Sequence, residues 1–242
     1  MTASLASRLG LQERDLVAFV GAGGKTSLLL AVGRELAATD ARLVMTTTTK
    51  MGPDQVPEWS DLCRTPEEVK AALDRRRPAF LVGSVTTSKI TGVASELVDR
   101  VFGDAAADYV LVEADGARRR LLKVPAPHEP VIPASATLVV VVANTAAVGR
   151  PLHEVAHRPE RVASLLGVTG DHVLRPVDVA TVLSAPTGGL FGVPERARVV
   201  VALTTAGGSD GASAEVSLRL EPIFRIERVV TIALDRLDRP NQ

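Results

Sequence analysis

One short segment of the sequence has the residue types and spacing of a phosphate-binding loop. It consists of Gly21, Ala22, Gly23, Gly24, Lys25, Thr26 and Ser27, and it lies between the apolar residues 16–20 and a helical pattern that starts with three leucines. A glycine-rich turn between a strand and a helix lets successive backbone N–H groups converge on a phosphate at the positive end of the helix dipole. In such a loop the lysine reaches the outer phosphates of a nucleoside triphosphate, ATP or GTP, and the threonine hydroxyl ligates the bridging Mg²⁺.

The loop departs from the commonest phosphate-loop pattern in its upstream half. That pattern has a glycine five residues before Gly24, where this chain has Phe19. The loop is therefore a short form, GxxGKT, which resembles the loop of Mur-type peptide ligases. A dinucleotide-binding loop is the nearest rival, but Thr26 occupies the position of its third glycine. A glycine-rich turn with an exposed lysine is the structural alternative.

Two carboxylates follow an apolar strand pattern about ninety residues later. Residues 110–116 have the sequence VLVEADG, which ends the strand with Glu113 and Asp115. Residues two apart on a strand point to the same face, so both carboxylates can approach one magnesium ion or its water shell. We expect Thr26 and Asp115 to hold the metal, and Glu113 to orient the attacking water or hydroxyl. Lys25, Glu113 and Asp115 form the predicted catalytic set. The structural alternative is a strand end that is capped by acidic turn residues.

Polar groups in two further segments are candidates for phosphate contacts. The second apolar strand ends in a run of threonines followed by lysine, from which we take Thr48 and Lys50. The acidic pair is followed by three arginines, of which Arg118 is the candidate for a bidentate contact. The alternatives are strand propensity for the threonines and a solvated charge run for the arginines. His128 lies in a proline-bracketed loop without partners at metal-ligand spacing.

The elements that must position these residues follow from hydrophobic patterning. Apolar, β-branched runs cover residues 15–20, 41–49, 79–85, 108–113, 137–143, 198–204 and 228–234. Helical patterns cover residues 26–38, 66–77, 94–102, 159–166, 177–183 and 212–219. Near-continuous apolar strands suit a sheet that is covered on both faces. The sequence therefore predicts an α/β fold with a mostly parallel, doubly wound sheet and helices on both faces, in a single domain over residues 1–242.

Composition narrows the class of partner and the compartment. The 242 residues contain 28 basic and 28 acidic side chains, so the formal net charge is zero, which argues against a general nucleic-acid or anionic-membrane binder. One cysteine, Cys63, excludes an intrachain disulfide framework. No apolar run approaches bilayer length and no secretory signal is visible. We expect a soluble, cytoplasmic protein that binds neither nucleic acid nor membrane.

Four motifs together resemble one protein family. They are VGAGGKTSLL from Val20, TTTTKM from Thr46, VLVEADGARRRLLKVPAPHEPVIP from Val110 and HRPE from His157. The chain resembles the YqeC family over residues 17–192; that family is described as accessory proteins of selenium-dependent hydroxylases. The resemblance implies a P-loop NTPase fold and a protein client, a molybdenum hydroxylase or its maturation machinery.

The sequence departs from that family at two places. Where an Asn-Lys pair resembling a guanine-recognition feature is common, this chain has Ala202-Leu203-Thr204-Thr205-Ala206, which leaves the base open. Leu121 stands where a proline is more usual.

Three functional hypotheses remain open at this stage. The leading one is a magnesium-dependent nucleoside-triphosphatase that acts as an accessory factor in metalloenzyme maturation. The second is a small-molecule kinase or acyl-phosphate ligase, and the third is a carrier that binds a nucleotide or cofactor without turnover.

Overall fold

Eight parallel strands form the central sheet of the computed structural model, which describes residues 3–104, 107–205 and 211–237. The strands are β1 (Asp15–Gly21), β2 (Leu43–Thr47), β3 (Asp61–Cys63), β4 (Ala79–Leu81), β5 (Tyr109–Glu113), β7 (Leu138–Asn144), β9 (Arg198–Thr205) and β10 (Arg228–Ala233). Their order across the sheet is β10-β9-β7-β1-β5-β2-β4-β3. Two short parallel strands, β6 (Leu122–Lys123) and β8 (Ala156–His157), pair separately.

Helices connect the strands and cover the sheet. They are α1 (Leu5–Arg8), α2 (Lys25–Ala37), α3 (Pro66–Asp74), α4 (Ser95–Asp104), α5 (Leu152–Val155), α6 (Pro159–Leu166), α7 (Pro176–Ser184) and α8 (Gly211–Leu220). The longest helix of the described ranges, α2, has 13 residues. No helix in these ranges is long and apolar enough to span a bilayer.

The buried side chains form one apolar cluster on each face of the sheet. Successive residues of β1 alternate between the clusters, with Leu16 and Ala18 on one face and Val17 and Phe19 on the other, because strand side chains alternate in direction. Helix α2 covers the face of Phe19, whereas apolar residues of α3, α4, α6, α7 and α8 belong to the opposite cluster. The predicted mostly parallel α/β sheet with helices on both faces is confirmed.

Several predicted element boundaries were wrong. The strand predicted over residues 79–85 ends at Leu81. Beyond it, Val85 forms an isolated antiparallel bridge with Ile90, which also bridges to Met51. The strand predicted over residues 41–49 covers only Leu43–Thr47. Sequence patterning missed β3, β6 and β8, since strands of two or three residues are too short to show a periodicity.

The strand order determines which loops meet at the carboxyl edge of the sheet. Strand β5 lies between β1 and β2, and β7 flanks β1 on its other side. The glycine-rich loop after β1 and the acidic end of β5 are therefore direct neighbours, whereas the threonine-rich end of β2 lies one strand further away. In open parallel sheets, ligands bind at this edge.

Candidate functional site

The glycine-rich loop connects β1 directly to α2, and its backbone requires glycine. Gly21, Gly23 and Gly24 have positive φ angles of 95°, 81° and 123°, which non-glycine residues rarely adopt. A Cβ atom on Gly21 would lie 2.3 Å from the carbonyl oxygen of Val142, and one on Gly23 would lie 2.5 Å from the Cβ of Asn144. The loop is thus pressed against the end of β7, and the three glycines are a geometric requirement.

The first turn of α2 faces the loop without a side-chain cap. Gly24 is the N-cap residue, no side chain accepts a hydrogen bond there, and the first turn contains no acidic residue. The first N–H groups of an α-helix have no partner within the helix. A helix that begins without a side-chain cap therefore keeps these N–H donors, and its N-terminus keeps the positive end of the helix dipole. An anion is the natural partner of such an end.

Lys25 folds back over its own loop. Its Nζ donates to the carbonyl oxygen of Gly21 at 2.8 Å and lies 3.2 Å from Oδ1 of Asp115. The lysine is only 4 % exposed and Asp115 only 2 %. The ion pair therefore lies within the protein at the base of the phosphate loop.

The two carboxylates of the acidic pair have different partners. The Thr26 hydroxyl donates to Oε2 of Glu113 at 2.6 Å, whereas Oδ2 of Asp115 accepts from the Gly21 N–H at 3.1 Å. Thr26 and Asp115, the two residues expected to hold the metal, therefore have different partners in this structure, and Thr26 lies beside Glu113. Strand β5 ends at Glu113, so Asp115 lies beyond the strand.

The electrostatic environment of Glu113 differs from that of a surface carboxylate. Burial raises the pKa of Glu113 above its ordinary value, and the nearby Lys25 charge and the Thr26 hydrogen bond oppose that rise. A cation placed beside this carboxylate would favour its ionised form further.

The oxygen donors at this point fit a magnesium ion that is shared with a nucleotide. The Thr26 hydroxyl and the Glu113 carboxylate are hard oxygen ligands, whose pairing at 2.6 Å leaves them side by side. Within the described residues, no group of three or more acidic, histidine or cysteine side chains is arranged to hold a metal by itself. Mg²⁺ is usually held by one or two carboxylates together with substrate phosphates and waters, which matches this donor set.

Behind the glycine-rich loop, a series of buried ion pairs continues from Asp115. Lys123 is fully buried, and its Nζ lies 2.9 Å from Oδ2 of Asp115 and 3.0 Å from Oε1 of Glu129. Glu129 also pairs with the guanidinium of Arg158. Burial alone would raise the pKa of Glu129, but the hydrogen bond and charge of Lys123 and the charge of Arg158 lower it below its ordinary value.

The small β6–β8 pairing brings these residues together. In its register Lys123 lies opposite His157, and Arg158 follows immediately as the N-cap of α6 with a left-handed φ of 57°. Sequence reasoning missed Lys123, Glu129 and Arg158 as a group. The available signal was that Glu129 and Arg158 each directly precede a proline, within the two motifs that carried the family resemblance.

The remaining predicted contact residues take different positions. The Thr48 hydroxyl donates to the carbonyl oxygen of Val131 at 2.9 Å, so in this structure it holds the long loop of residues 116–133 against the end of β2. Lys50 and Arg118 are exposed, and both line the cleft above the phosphate loop together with Ser27. Leu121 donates its N–H to Val155 at 2.9 Å, a bond that proline cannot make. Of the segment 202–206 that departs from the family pattern, the first four residues end β9, and Ala206 lies outside the described residues.

These elements enclose one large cleft at the carboxyl edge of the sheet. Its volume is about 1290 Å³. The phosphate loop, the end of β5, the loop after β2 and the start of α6 all contribute to its walls, represented by Lys25, Glu113, Thr48 and Arg158. The predicted site residues that line the cleft are Gly23, Gly24, Lys25, Thr26, Ser27, Thr48, Lys50, Glu113 and Arg118, whereas Gly21, Ala22 and Asp115 are not among its lining residues.

Two comparisons with known proteins found the same family. The family model described as "YqeC protein" matches residues 17–160. A protein of Escherichia coli (strain K12), described as "Uncharacterized protein YqeC", is 33% identical over 220 residues, which cover 89% of this chain and 85% of that relative.

Proposed function

This chain belongs to the YqeC family, and we propose that it is a magnesium-dependent P-loop protein that binds and hydrolyses a nucleoside triphosphate. The observation that carries the proposal is the loop itself. Three glycines with positive φ lead into an uncapped helix, and a buried lysine stands at the first position of that helix. Backbone donors, dipole and lysine are together the arrangement that binds nucleotide phosphates.

In this function, Lys25 exchanges its present partners for a nucleotide. Its Nζ now contacts the Gly21 carbonyl and Asp115, and it would turn to the outer phosphates when they occupy the loop. Thr26 and Glu113 would hold Mg²⁺, directly or through water, and the ion would neutralise charge on the phosphates. Asp115 then serves to hold the base of the loop, through the Gly21 N–H and Lys123. Catalysis would consist mostly of positioning and charge stabilisation.

We further propose that nucleotide binding or hydrolysis serves the maturation of a selenium-dependent molybdenum hydroxylase in the cytoplasm. This part of the proposal is supported by the resemblance of the motifs to their family. An accessory role of this kind predicts a slow intrinsic turnover that a client protein accelerates.

The cleft gives a specific reason to retain one alternative. Its volume of about 1290 Å³ exceeds the roughly 300–1000 Å³ of ordinary ligand pockets, and arginines line one wall. A kinase or acyl-phosphate ligase needs room for an anionic acceptor beside the nucleotide. Acceptor-dependent formation of a nucleoside diphosphate would favour this alternative over client-stimulated hydrolysis.

Calorimetric binding of ATP, GTP and their diphosphates, with and without Mg²⁺, tests the core of the proposal. We expect magnesium-dependent binding that is at least 100-fold weaker in Lys25→Ala. Lys70→Ala is the matched control, because Lys70 is exposed on α3 and lies outside the cleft. Undiminished nucleotide affinity in a folded Lys25→Ala protein would refute the phosphate-loop assignment. Binding without phosphate release, with or without a candidate client, would leave a carrier and reject the hydrolase.

A further inference from the structure

One wall of the cleft is formed by a turn that contacts the phosphate loop. This arginine turn comprises residues 117–120 and is closed by a hydrogen bond from the Arg120 N–H to the Ala117 carbonyl at 2.9 Å. The residue after it, Leu121, accepts a hydrogen bond from Asn144 at 2.9 Å, and its carbonyl oxygen lies 3.0 Å from the position of a Cβ on Gly23. The turn is thus fixed directly beside the loop that would hold the nucleotide phosphates.

The charge along the cleft exceeds what the phosphate loop itself requires. Besides Lys25, the cleft is lined by Lys50, Lys89, Arg118, Arg119, Arg120 and Arg158. Its acidic lining residues are Asp54, Glu113 and Glu129; Glu113 accepts a hydrogen bond from Thr26, and Glu129 is paired with Lys123 and Arg158. Because the whole chain has a formal net charge of zero, this excess of positive charge is a local property of the cleft.

Two arginines of the turn have no partner of their own. In the described part of the chain, neither Arg118 nor Arg119 makes a hydrogen bond or ion pair with another residue, whereas Arg120 donates to the carbonyl oxygen of Glu154. Arg118 and Arg119 have consecutive left-handed φ angles of 47° and 60°. Such conformations are unfavourable for residues other than glycine and persist where the surroundings fix them, often at ligand-binding sites. The turn therefore presents two guanidinium groups whose donors are available to a ligand.

A third polar group at this wall also lacks a partner. His157 lines the cleft, and its Nδ1 is buried without a hydrogen bond in the described structure. Burial, together with the charges of Lys123 and Arg158, lowers the pKa of His157. A buried ring nitrogen without a partner calls for an explanation, and a ligand bound against this wall supplies one.

We propose that the arginine turn forms a second subsite, which binds a small molecule carrying a phosphate or carboxylate group while a nucleotide occupies the phosphate loop. Arg118 and Arg119 would bind the anionic group with bidentate hydrogen bonds, the geometry that guanidinium groups favour for both chemistries. Lys50 and Lys89, which also line the cleft, would balance the charge of two neighbouring anions. The inference rests on the proposed function only in assuming that a nucleotide occupies the phosphate loop.

Titration of the nucleotide-saturated protein tests the second subsite separately. Inorganic phosphate and succinate are added in parallel to protein held at saturating Mg–ADP, and binding is followed by ¹H–¹⁵N NMR, including the arginine Nε–H signals. We expect shifts of the Arg118 and Arg119 signals and an affinity at least fivefold weaker in Arg119→Ala, partly restored in Arg119→Lys. Arg100→Ala is the matched control, because Arg100 is exposed on α4 outside the cleft. It should bind as the unmodified protein does.

The outcomes separate the two proposals. Binding of phosphate alone or of succinate alone, lost in Arg119→Ala, supports the subsite and identifies its anionic group. Binding of neither anion, or equal binding by Arg119→Ala and Arg100→Ala, overturns it even if Mg–ADP binds well. If Mg–ADP itself does not bind, the proposed function fails. The subsite is then judged by the same titrations in the Lys25→Ala background, where the phosphate loop lacks its lysine. Weaker anion binding on further replacement of Arg119 supports the subsite. An unchanged anion affinity overturns it.

Discussion

Replacement of the buried Lys123 by methionine is the sharpest test of how the site is held together. Its Nζ donates to the Gly116 carbonyl at 2.7 Å and lies 2.9 Å and 3.0 Å from carboxylate oxygens of Asp115 and Glu129. Methionine retains an unbranched chain of similar length but carries no charge and no donor. Lys123→Met therefore removes three contacts without requiring a new space in the core.

The magnitude follows from the burial of these groups. Removing one partner of a buried ion pair typically costs about 3–5 kcal/mol, because the remaining charge stays in the interior. Here each carboxylate keeps a second cation, Asp115 the ammonium of Lys25 and Glu129 the guanidinium of Arg158. We therefore expect the lower end, about 3 kcal/mol. For a domain of this size, about 2–4 °C are lost per kcal/mol, so the midpoint should fall by roughly 6–12 °C.

Thermal and urea unfolding, followed by circular dichroism at pH 7, measures this loss. Lys70→Met on the exposed surface of α3 is the control and should change the midpoint by less than about 1 °C. In the double variant Lys123→Met/Glu129→Gln, the two costs should not add, since both substitutions act on one network. A Lys123→Met protein that melts within 1–2 °C of the unmodified protein would show that the buried ion pairs do not hold the site together.

Three further outcomes follow from local geometry. Gly23→Ala should weaken nucleotide binding more than tenfold, whereas Gly149→Ala, which has the same φ of about 80° but no atom within 4 Å of the added carbon, should bind normally in the same calorimetric assay. Burial, together with nearby acidic charges, raises the pKa of the Cys63 thiol to about 11, so a thiol reagent at pH 8 should modify it at least 100-fold more slowly in folded than in denatured protein. Burial would raise the pKa of Asp178, but hydrogen bonds from Arg175 and a neighbouring histidine lower it to about 2. Its stabilising contribution is present above about pH 4 and is lost as the pH falls towards 2. In urea unfolding, Asp178→Asn should cost about 1–2 kcal/mol at pH 6 and less at pH 2.5.

The sequence was sufficient for the fold because the relevant signals are local. The continuous, valine-rich apolar run that forms β7 is typical of a strand buried on both faces, and the glycines before Lys25 mark the turn between β1 and α2. Adjacent strands and helices then restrict the topology to a doubly wound sheet. The predicted strand boundaries were less accurate where a threonine-rich strand end continues into a loop with similar residue types, as after Thr47.

The arrangement of charges within the site depended on contacts that no local pattern encodes. Lys123 and Arg158 are 35 residues apart in the sequence. They meet at Glu129 because the two-residue strands β6 and β8 pair in parallel. The different hydrogen-bond partners of Glu113 and Asp115 depend on where β5 ends, because Glu113 is the last residue of the strand and Asp115 lies beyond it. The sequence alone singled out Thr26, Glu113 and Asp115, but it did not predict the hydrogen bond between Thr26 and Glu113, and their roles toward a metal stay predictions.

The sharing of Asp115 between two lysines explains how one side chain can serve both the fold and a ligand. In this structure Lys25 forms an ion pair with Asp115 and donates to the Gly21 carbonyl. In the proposed function, in which Lys25 would turn to a phosphate, Asp115 would keep Lys123 at 2.9 Å and the Gly21 N–H, so no uncompensated carboxylate would be left in the interior. An Asp115 paired with Lys25 alone would oppose ligand binding by the cost of a stranded charge. In that proposed function Lys123 would lower the energetic cost of using Lys25 as a phosphate ligand, without itself lining the cleft.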